Sequence, residues 1–485
     1  MSWHPAIGDY RQQLPRIAVI AAMFAAAATL IALHQQRAAL PAERWYELSR
    51  QQVMEADLAW RLGDAIEQLG ADAAFAGSTT AQEMHERAIA GWERRTLARR
   101  PSHAAALRLG VAYGHRGYPE QAAEMFALAA SLDEDSSDYY HAISEAYSVA
   151  DLSSEALREK ADVIATREGW LTDLALTDVY GRMGADDLLA EVAQRRRSAA
   201  MRFAGGLMGI GVVAGLLFLL GVITLAVLIF RWGFRLRKAV ARVPFIVPWR
   251  LIDVIEVVAV LLFTMVVGGM LTSLALERVL KPDEWSLGLP LLMGIQYIIV
   301  SAATLAVVLY RVRPHATRPF RTLGLRVRDA LRLVGNGVSG YAAFLTLTIA
   351  VVLVAGQLLG DALPLGRLLT FGQTTEEIIG SAQTPGEVAI YFVLVCILAP
   401  IFEELTFRGF VFGGLRRFLP VRSAIIIGGA AFAAVHLNGE AFLMIGLLGA
   451  MLCYLYERSR SLLPGMVAHG LHNGLVLAIM LLQSS

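Results

Sequence analysis

Nine apolar runs, most of them near the roughly 20 residues that a helix needs to cross a bilayer core, constrain this chain more than anything else in it. They lie at about Ile17–Leu33, Ala204–Phe230, Asp253–Leu276, Leu287–Tyr310, Gly337–Leu359, Val388–Phe412, Ser423–Leu437, Ala441–Tyr456 and Pro464–Leu482. Over 485 residues the chain is 56% hydrophobic and 18% charged, with a mean hydropathy of +0.52, the balance of a multi-span membrane protein. One charge-rich stretch, Gln36 to Arg197, separates the first run from the second. The expected fold is all-α, a bundle of about nine transmembrane helices with a soluble helical domain inserted after the first span. Its segments are an N-terminal membrane anchor (1–35), the helical domain (36–199), transmembrane helices with basic loops (200–335) and a C-terminal transmembrane core (336–485). The first run follows Arg11 and Arg16 and is long for a signal-peptide core, so it reads as an uncleaved anchor.

A net charge of +1 gives no footing for a nucleic-acid partner. Both cysteines, Cys396 and Cys453, sit in apolar runs, which leaves neither a disulfide framework nor a CxxC metal site. Basic residues cluster after alternate spans: Arg231, Arg235, Arg237, Lys238 and Arg242 after the second, Arg311 to Arg332 after the fourth, Arg416, Arg417 and Arg422 after the sixth, Arg458 and Arg460 after the eighth. The positive-inside rule puts these loops in the cytoplasm and the 36–199 block outside it. The acids Asp361, Glu376 and Glu377 fall on the opposite side, whereas Arg195, Arg196, Arg197 and Arg202 dissent. Trp249 and Trp285 suit interface anchoring.

The charge-rich block carries an internal echo. Leu109, Gly110, Tyr113, Ala122, Phe126 and Ala129 recur 34 residues later as Ile143, Ser144, Tyr147, Ala156, Lys160 and Val163. The pattern of small and aromatic positions resembles the tetratricopeptide repeat, in which paired helices stack on their neighbours, although Lys160 replaces an expected aromatic. That resemblance implies a surface for a protein partner and no chemistry of its own.

Chemistry is concentrated in the last hundred residues. Glu403 and Glu404 stand inside an apolar run, where each ionised group costs roughly 2.5 to 3.5 kcal/mol on insertion scales. Arg408 is four residues beyond Glu404 and on the same helix face, so the two can pair, while Glu403 is turned about 100° away. His436 ends the stretch Phe432-Ala-Ala-Val-His436, and His469 and Asn473 share a face of the last run. Glu403 lies 13 residues before Arg416, His436 14 after Arg422 and Asn473 13 after Arg460. At about 1.5 Å per residue, three helices thus carry their polar groups in one layer.

These residues resemble the motifs of the CAAX prenyl endopeptidase and bacteriocin-processing (Abi) family of intramembrane proteases: Glu-Glu-x-x-x-Arg, Phe-x-x-x-His and His-x-x-x-Asn. All three stand here in order, as Glu403 to Arg408, Phe432 to His436 and His469 to Asn473. The resemblance covers about Gly337 to Leu482, and a second pair, Glu376 and Glu377, lacks the arginine. It implies an endopeptidase in a bacterial-type cell membrane, acting on a membrane-associated or lipidated protein or peptide. Glu403, with His436, would hold and deprotonate a water; His469 and Asn473 would donate to the oxyanion; Glu404 and Arg408 would form a supporting pair. A carboxylate stripped of water binds a proton more tightly, which suits such a base.

The expectation is that no cofactor is needed. Glu403, His436 and His469 nonetheless make a competent zinc set, members of the family have been described as metalloproteases, and that alternative stays open here. His472 reads as a packing residue. Two other classes compete with the protease. A transporter would also place acids and histidines at mid-membrane, but the chain shows no inverted repeat and only one polar layer; a non-catalytic scaffold would use the repeats to gather partners and leave the motifs without a purpose.

Overall fold

Helix boundaries follow local chemistry. Ser102 and Ser153 accept the backbone N–H of Ala105 and Ala156 at 3.4 and 3.2 Å, and Thr384 and Glu387 form a reciprocal capping box. Pro119 and Pro385 open helices where a missing N–H costs nothing, and Gly184 closes one in the left-handed region at φ 64°. The computed structural model describes residues 18–26, 41–68, 81–97, 102–133, 136–148, 152–167, 169–234, 247–278, 288–359, 384–436 and 441–484. Among them every regular element is helical. Most of the expected first span, Arg235, Arg237, Lys238, Arg242, Trp285, Asp361, Glu376 and Glu377 lie outside the described residues.

The chain divides into two compact units, Gln36–Gly209 and a membrane unit formed mainly by Ile210–Ser484. The first contains α1 (Pro41–Gln68), α2 (Ala81–Thr96), α3 (His103–His115), α4 (Pro119–Leu132), α5 (Ser137–Ser148), α6 (Ser154–Ile164) and α7 (Trp170–Met183). Alternate helices begin at residues 103, 137 and 170, close to the 34-residue echo. Trp60, Trp92, Phe126 and Ile143 fill its core at 2% exposure or less. Burying a side chain of this size contributes about 1.5 to 3 kcal/mol, and the three tryptophans Trp60, Trp92 and Trp170 stack with centroids 5.5 to 6.4 Å apart. Lys160 stays at the rim in an ion pair with Glu145 at 2.8 Å.

One helix, α8 (Asp186–Phe234), begins in the first unit, and its residues from Ile210 belong to the second. The membrane unit continues with α9 (Leu251–Arg278), α10 (Gly288–Val312), α11 (Ala330–Leu359), α12 (Pro385–Phe418), α13 (Val421–Val435), α14 (Phe442–Ser459) and α15 (Leu463–Ser484). Among the described residues seven helices are long and apolar enough to cross a membrane, namely α8 to α12, α14 and α15. The nine expected spans also include α13, apolar but only 15 residues long, and the first run, of which residues 18–26 alone are described. Helices α13 and α14 meet backbone to backbone, because a side chain at Gly429 would strike the carbonyl of Gly446. That contact fixes the end of α13, where Phe432 and His436 lie.

Trp249 departs from the interface position its residue type suggests. It is 1% exposed, stacks on Phe410 at 4.8 Å and donates its indole N–H to the Phe410 carbonyl at 3.0 Å. Its polar edge is satisfied inside the bundle, so nothing draws it to the membrane surface.

Candidate active site

Helix α12 carries the glutamates and is not a regular α-helix. Residues Phe392–Leu398 and Glu404–Phe412 are wound as π-helix, on either side of the short α-helical turn Ala399–Glu403. Such widened turns are uncommon and cluster at functional sites. Pro400 gives the first of them a cause. In π register the carbonyl of Val395 looks to the N–H of residue 400, and proline has none. Asn473 on α15 supplies the donor instead, its Nδ2 lying 2.8 Å from the Val395 oxygen.

The second widened segment begins at the glutamate pair and buries one member wholly. Glu404 and Arg408 are both 0% exposed, with Oε1 and Nη1 2.9 Å apart. The guanidinium lies 4.1 Å from the centre of the Phe432 ring and reaches the Gly449 carbonyl at 3.4 Å. Gly465 on α15 makes room for the carboxylate, since a side chain there would collide with Glu404 Oε2. A buried ion pair of this kind survives only with close partners on both sides, which Phe432, Gly449 and His469 provide.

His469 links the two acids. Its Nδ1 is 3.3 Å from Glu404 Oε1 and its Nε2 3.8 Å from Glu403 Oε2, with the ring edge-on to Phe432 at 5.7 Å. Glu403 itself, turned from Glu404 as the helix geometry requires, is 21% exposed and faces a cavity of about 420 Å³. Tyr297 on α10 donates to Glu403 Oε1 at 3.4 Å. His436 lines the same cavity with Leu261, Met265, Phe402 and Phe407. Its Nδ1 lies 2.7 Å from the Phe432 carbonyl, an acceptor only, so Nδ1 carries a hydrogen, and in the neutral ring Nε2 holds the lone pair.

The structure thus gathers Glu403, Glu404, Arg408 and His469 into one contact set and brings His436 to the same cavity as Glu403. Asn473 lies against the π turn, and His472 packs edge-on against Tyr341 and Phe344, centroids 5.8 and 6.5 Å away. Tyr297 escaped the sequence reading; the sole signal was a tyrosine beside Gln296 in an otherwise apolar run. For zinc the arrangement is unfavourable. Among the described residues no three His, Cys, Asp or Glu side chains come close enough together to hold a metal ion, and both nitrogens of His469 face carboxylates.

Residues 385–475 match the family model described as Type II CAAX prenyl endopeptidase Rce1-like. The match spans α12, α13, α14 and the first half of α15, and so contains all three motifs. No curated protein and no solved structure matches the chain. An Rce1-like domain among seven apolar helices supports a multi-pass membrane protease of the CAAX type. The matched segment leaves out α8 to α11, including Tyr297, and the whole Gln36–Gly209 unit.

Proposed function

We propose that this protein is an intramembrane endopeptidase that cleaves a peptide bond of a membrane-associated or lipidated protein or peptide, with Glu403 as general base. The observation that carries the reading is the shared cavity of Glu403 and His436, lined by apolar side chains together with Gln296, Tyr297, Ser301, Thr304 and Thr406, and backed by the buried Glu404–Arg408–His469 cluster. A water held between the Glu403 carboxylate and His436 Nε2 gives one proton to Glu403 as its oxygen attacks the scissile carbonyl carbon. The resulting oxyanion accepts hydrogen bonds from His469 and from the amide hydrogen of Asn473 not used on Val395. Glu403 then returns the proton to the amide nitrogen, the C–N bond breaks, and an acid and an amine leave. Glu404 and Arg408 hold His469 and the helix that carries the base. No step passes through a metal.

The soluble unit fits this activity as an accessory. Helices starting at residues 103, 137 and 170 support the tetratricopeptide reading and with it a role in binding a protein partner. By the distribution of arginines this unit lies on the extracytoplasmic side. The test is cleavage of a membrane-anchored peptide by the full chain in liposomes. Glu403→Gln should lower the rate about 10²- to 10⁴-fold at unchanged thermal stability, and a chelator should leave the parent chain active. Undiminished cleavage by Glu403→Gln would sink the assignment; ion flux without proteolysis would point to transport.

A further inference from the structure

A second cavity lies far from the glutamates along the chain, in the Gln36–Gly209 unit. It measures about 870 Å³ and is bounded by α1, by the turn from α6 into α7, by α7 and by α8. Trp60, Trp170 and Phe203 form an aromatic wall, with the Arg61 guanidinium 4.5 Å from the centre of the Phe203 ring. On α8, residues Arg195, Ser198, Ala199 and Arg202 recur at helical spacing and present one face to it.

Its acids are already matched. Asp64 pairs with Arg196, and Asp173 and Glu191 pair with Arg195 at 3.1 and 3.0 Å. Two other arginines of the lining, Arg167 and Arg202, make no ion pair among the described residues; Arg167 rests on the Tyr139 ring at 4.1 Å. The cavity is therefore cationic on balance and aromatic on one wall. Its position narrows the choice of anion. Immediately after Arg202, α8 runs without a charged residue from Phe203 to Phe230, the stretch long and apolar enough to cross a bilayer. Arg202 is thus the last charged residue on α8 before that stretch, and the neighbouring Met201 and Met208 are exposed apolar side chains on which an acyl chain can lie.

We propose that this cavity binds the headgroup of an anionic phospholipid, Arg167 and Arg202 meeting the phosphate while the acyl chains follow α8 into the bilayer. A soluble phosphate shares the head chemistry but has no use for the apolar continuation. An acidic peptide shares the charge but gains nothing from a site placed at the membrane surface. Such a lipid ties the helical unit to the leaflet that contains it.

The experiment uses the full chain in nanodiscs of phosphatidylcholine doped with phosphatidylglycerol, with lipid retained after extraction counted by native mass spectrometry. Phosphatidylglycerol should be retained over phosphatidylcholine, and Arg167→Gln with Arg202→Gln should weaken retention about 30-fold, two arginines near a membrane surface each contributing roughly five- to sixfold. Arg197→Gln removes a charge from the same helix at a residue outside the lining and should leave retention unchanged. Equal retention of the two lipids, or an equal loss in Arg197→Gln, overturns the proposal in favour of diffuse attraction. Displacement of the lipid by soluble glycerol phosphate assigns the site to a free anion, displacement by an acidic peptide to a protein partner, and either result overturns it too. Arg202→Lys keeps the charge and should keep most of the retention, which separates the lipid's loss from misfolding.

Discussion

The two units bury opposite things. In the helical unit Trp60, Trp92 and Phe126 are inside, and its ion pairs, such as Arg108 with Asp57 at 2.7 Å, stay partly exposed at 23% and 16%. In the membrane unit Ile426 and Val351 are among the most exposed side chains, while Glu404 and Arg408 are wholly enclosed. Both obey one rule, that each side chain goes where its solvent penalty is least, applied in two solvents. The difference makes polar burial in the membrane unit expensive to keep. A charge pair at the centre of that unit has no cheap structural excuse, and the site that surrounds it is the account of why it is there.

The sharpest way to break the contrast is to remove one charge from the enclosed pair. Arg408→Leu leaves Glu404 buried without its cation and should destabilise the membrane unit by about 3 to 5 kcal/mol, read as loss of detergent-resistant folded protein. Joining it to Glu404→Gln should restore much of the stability, since no lone charge remains. Recovery of cleavage along with stability would show that the pair only holds the helix; the reading above expects cleavage to stay depressed, because His469 loses its partner.

Asn473 lets the structural and chemical uses of one side chain be separated. Asn473→Ala strips the partly buried Val395 carbonyl of its donor, a loss of about 1 kcal/mol. Pro400→Ala returns a backbone N–H at the place where that carbonyl looks for one. The double variant should therefore regain stability over Asn473→Ala while remaining slow in cleavage. If both properties return together, Asn473 is a brace for the π turn and has no part in the oxyanion site.

Much of this architecture is legible in the sequence because charge inside an apolar run is conspicuous. The pairing of Glu404 with Arg408 followed from a spacing of four, and the separation of Glu403 from its neighbour followed from 100° per residue; both appear in the structure. The expected run Val388–Phe412 lies within α12, Pro385–Phe418. The π segments could not be foreseen, since apolar residues on all faces show no difference between 3.6 and wider turns. Pro400 was the visible sign, and its consequence depends on Asn473 standing opposite. Trp249 misled because a tryptophan at a span's edge reads the same whether its N–H meets water or, as here, the carbonyl of Phe410. Tyr297 was hidden by distance, 106 residues before Glu403.

That tyrosine gives a smaller effect and a cleaner sign. Its hydroxyl donates to one oxygen of the base and is long at 3.4 Å, so removing it should cost about 0.5 to 1.5 kcal/mol, or roughly two- to tenfold in rate. Because the hydroxyl acts through that carboxylate, Tyr297→Phe should cost little further rate once Glu403→Gln is already in place, a non-additive double-variant cycle. Fully additive losses would mean that the ring shapes the cavity and the hydroxyl does not act on the base.

The least effect on cleavage is expected from the helical unit, where a half-buried histidine tests the ordinary rules of a core packed around tryptophans. His85 stacks on Trp60 at 4.2 Å, and desolvation, opposed by Asp64 and assisted by Arg116, His115 and Arg196, pulls its pKa from 6.5 down to about 4. The folded unit thus binds this proton less readily than the unfolded chain does. Stability from His85 is full above pH 6.5 and declines as the pH falls from 6.5 towards 4, where the unfolded state gains a proton that the folded state refuses. Melting of the helical unit followed by a signal from Trp60 and Trp92 should therefore fall across this window, and His85→Phe should flatten the decline. Cleavage of a short membrane-anchored peptide should not follow the same curve, because the cavity of Glu403 and His436 lies in the other unit. A cleavage rate that tracks the His85 transition would erase the distinction between the units and make the helical domain part of the catalytic machinery.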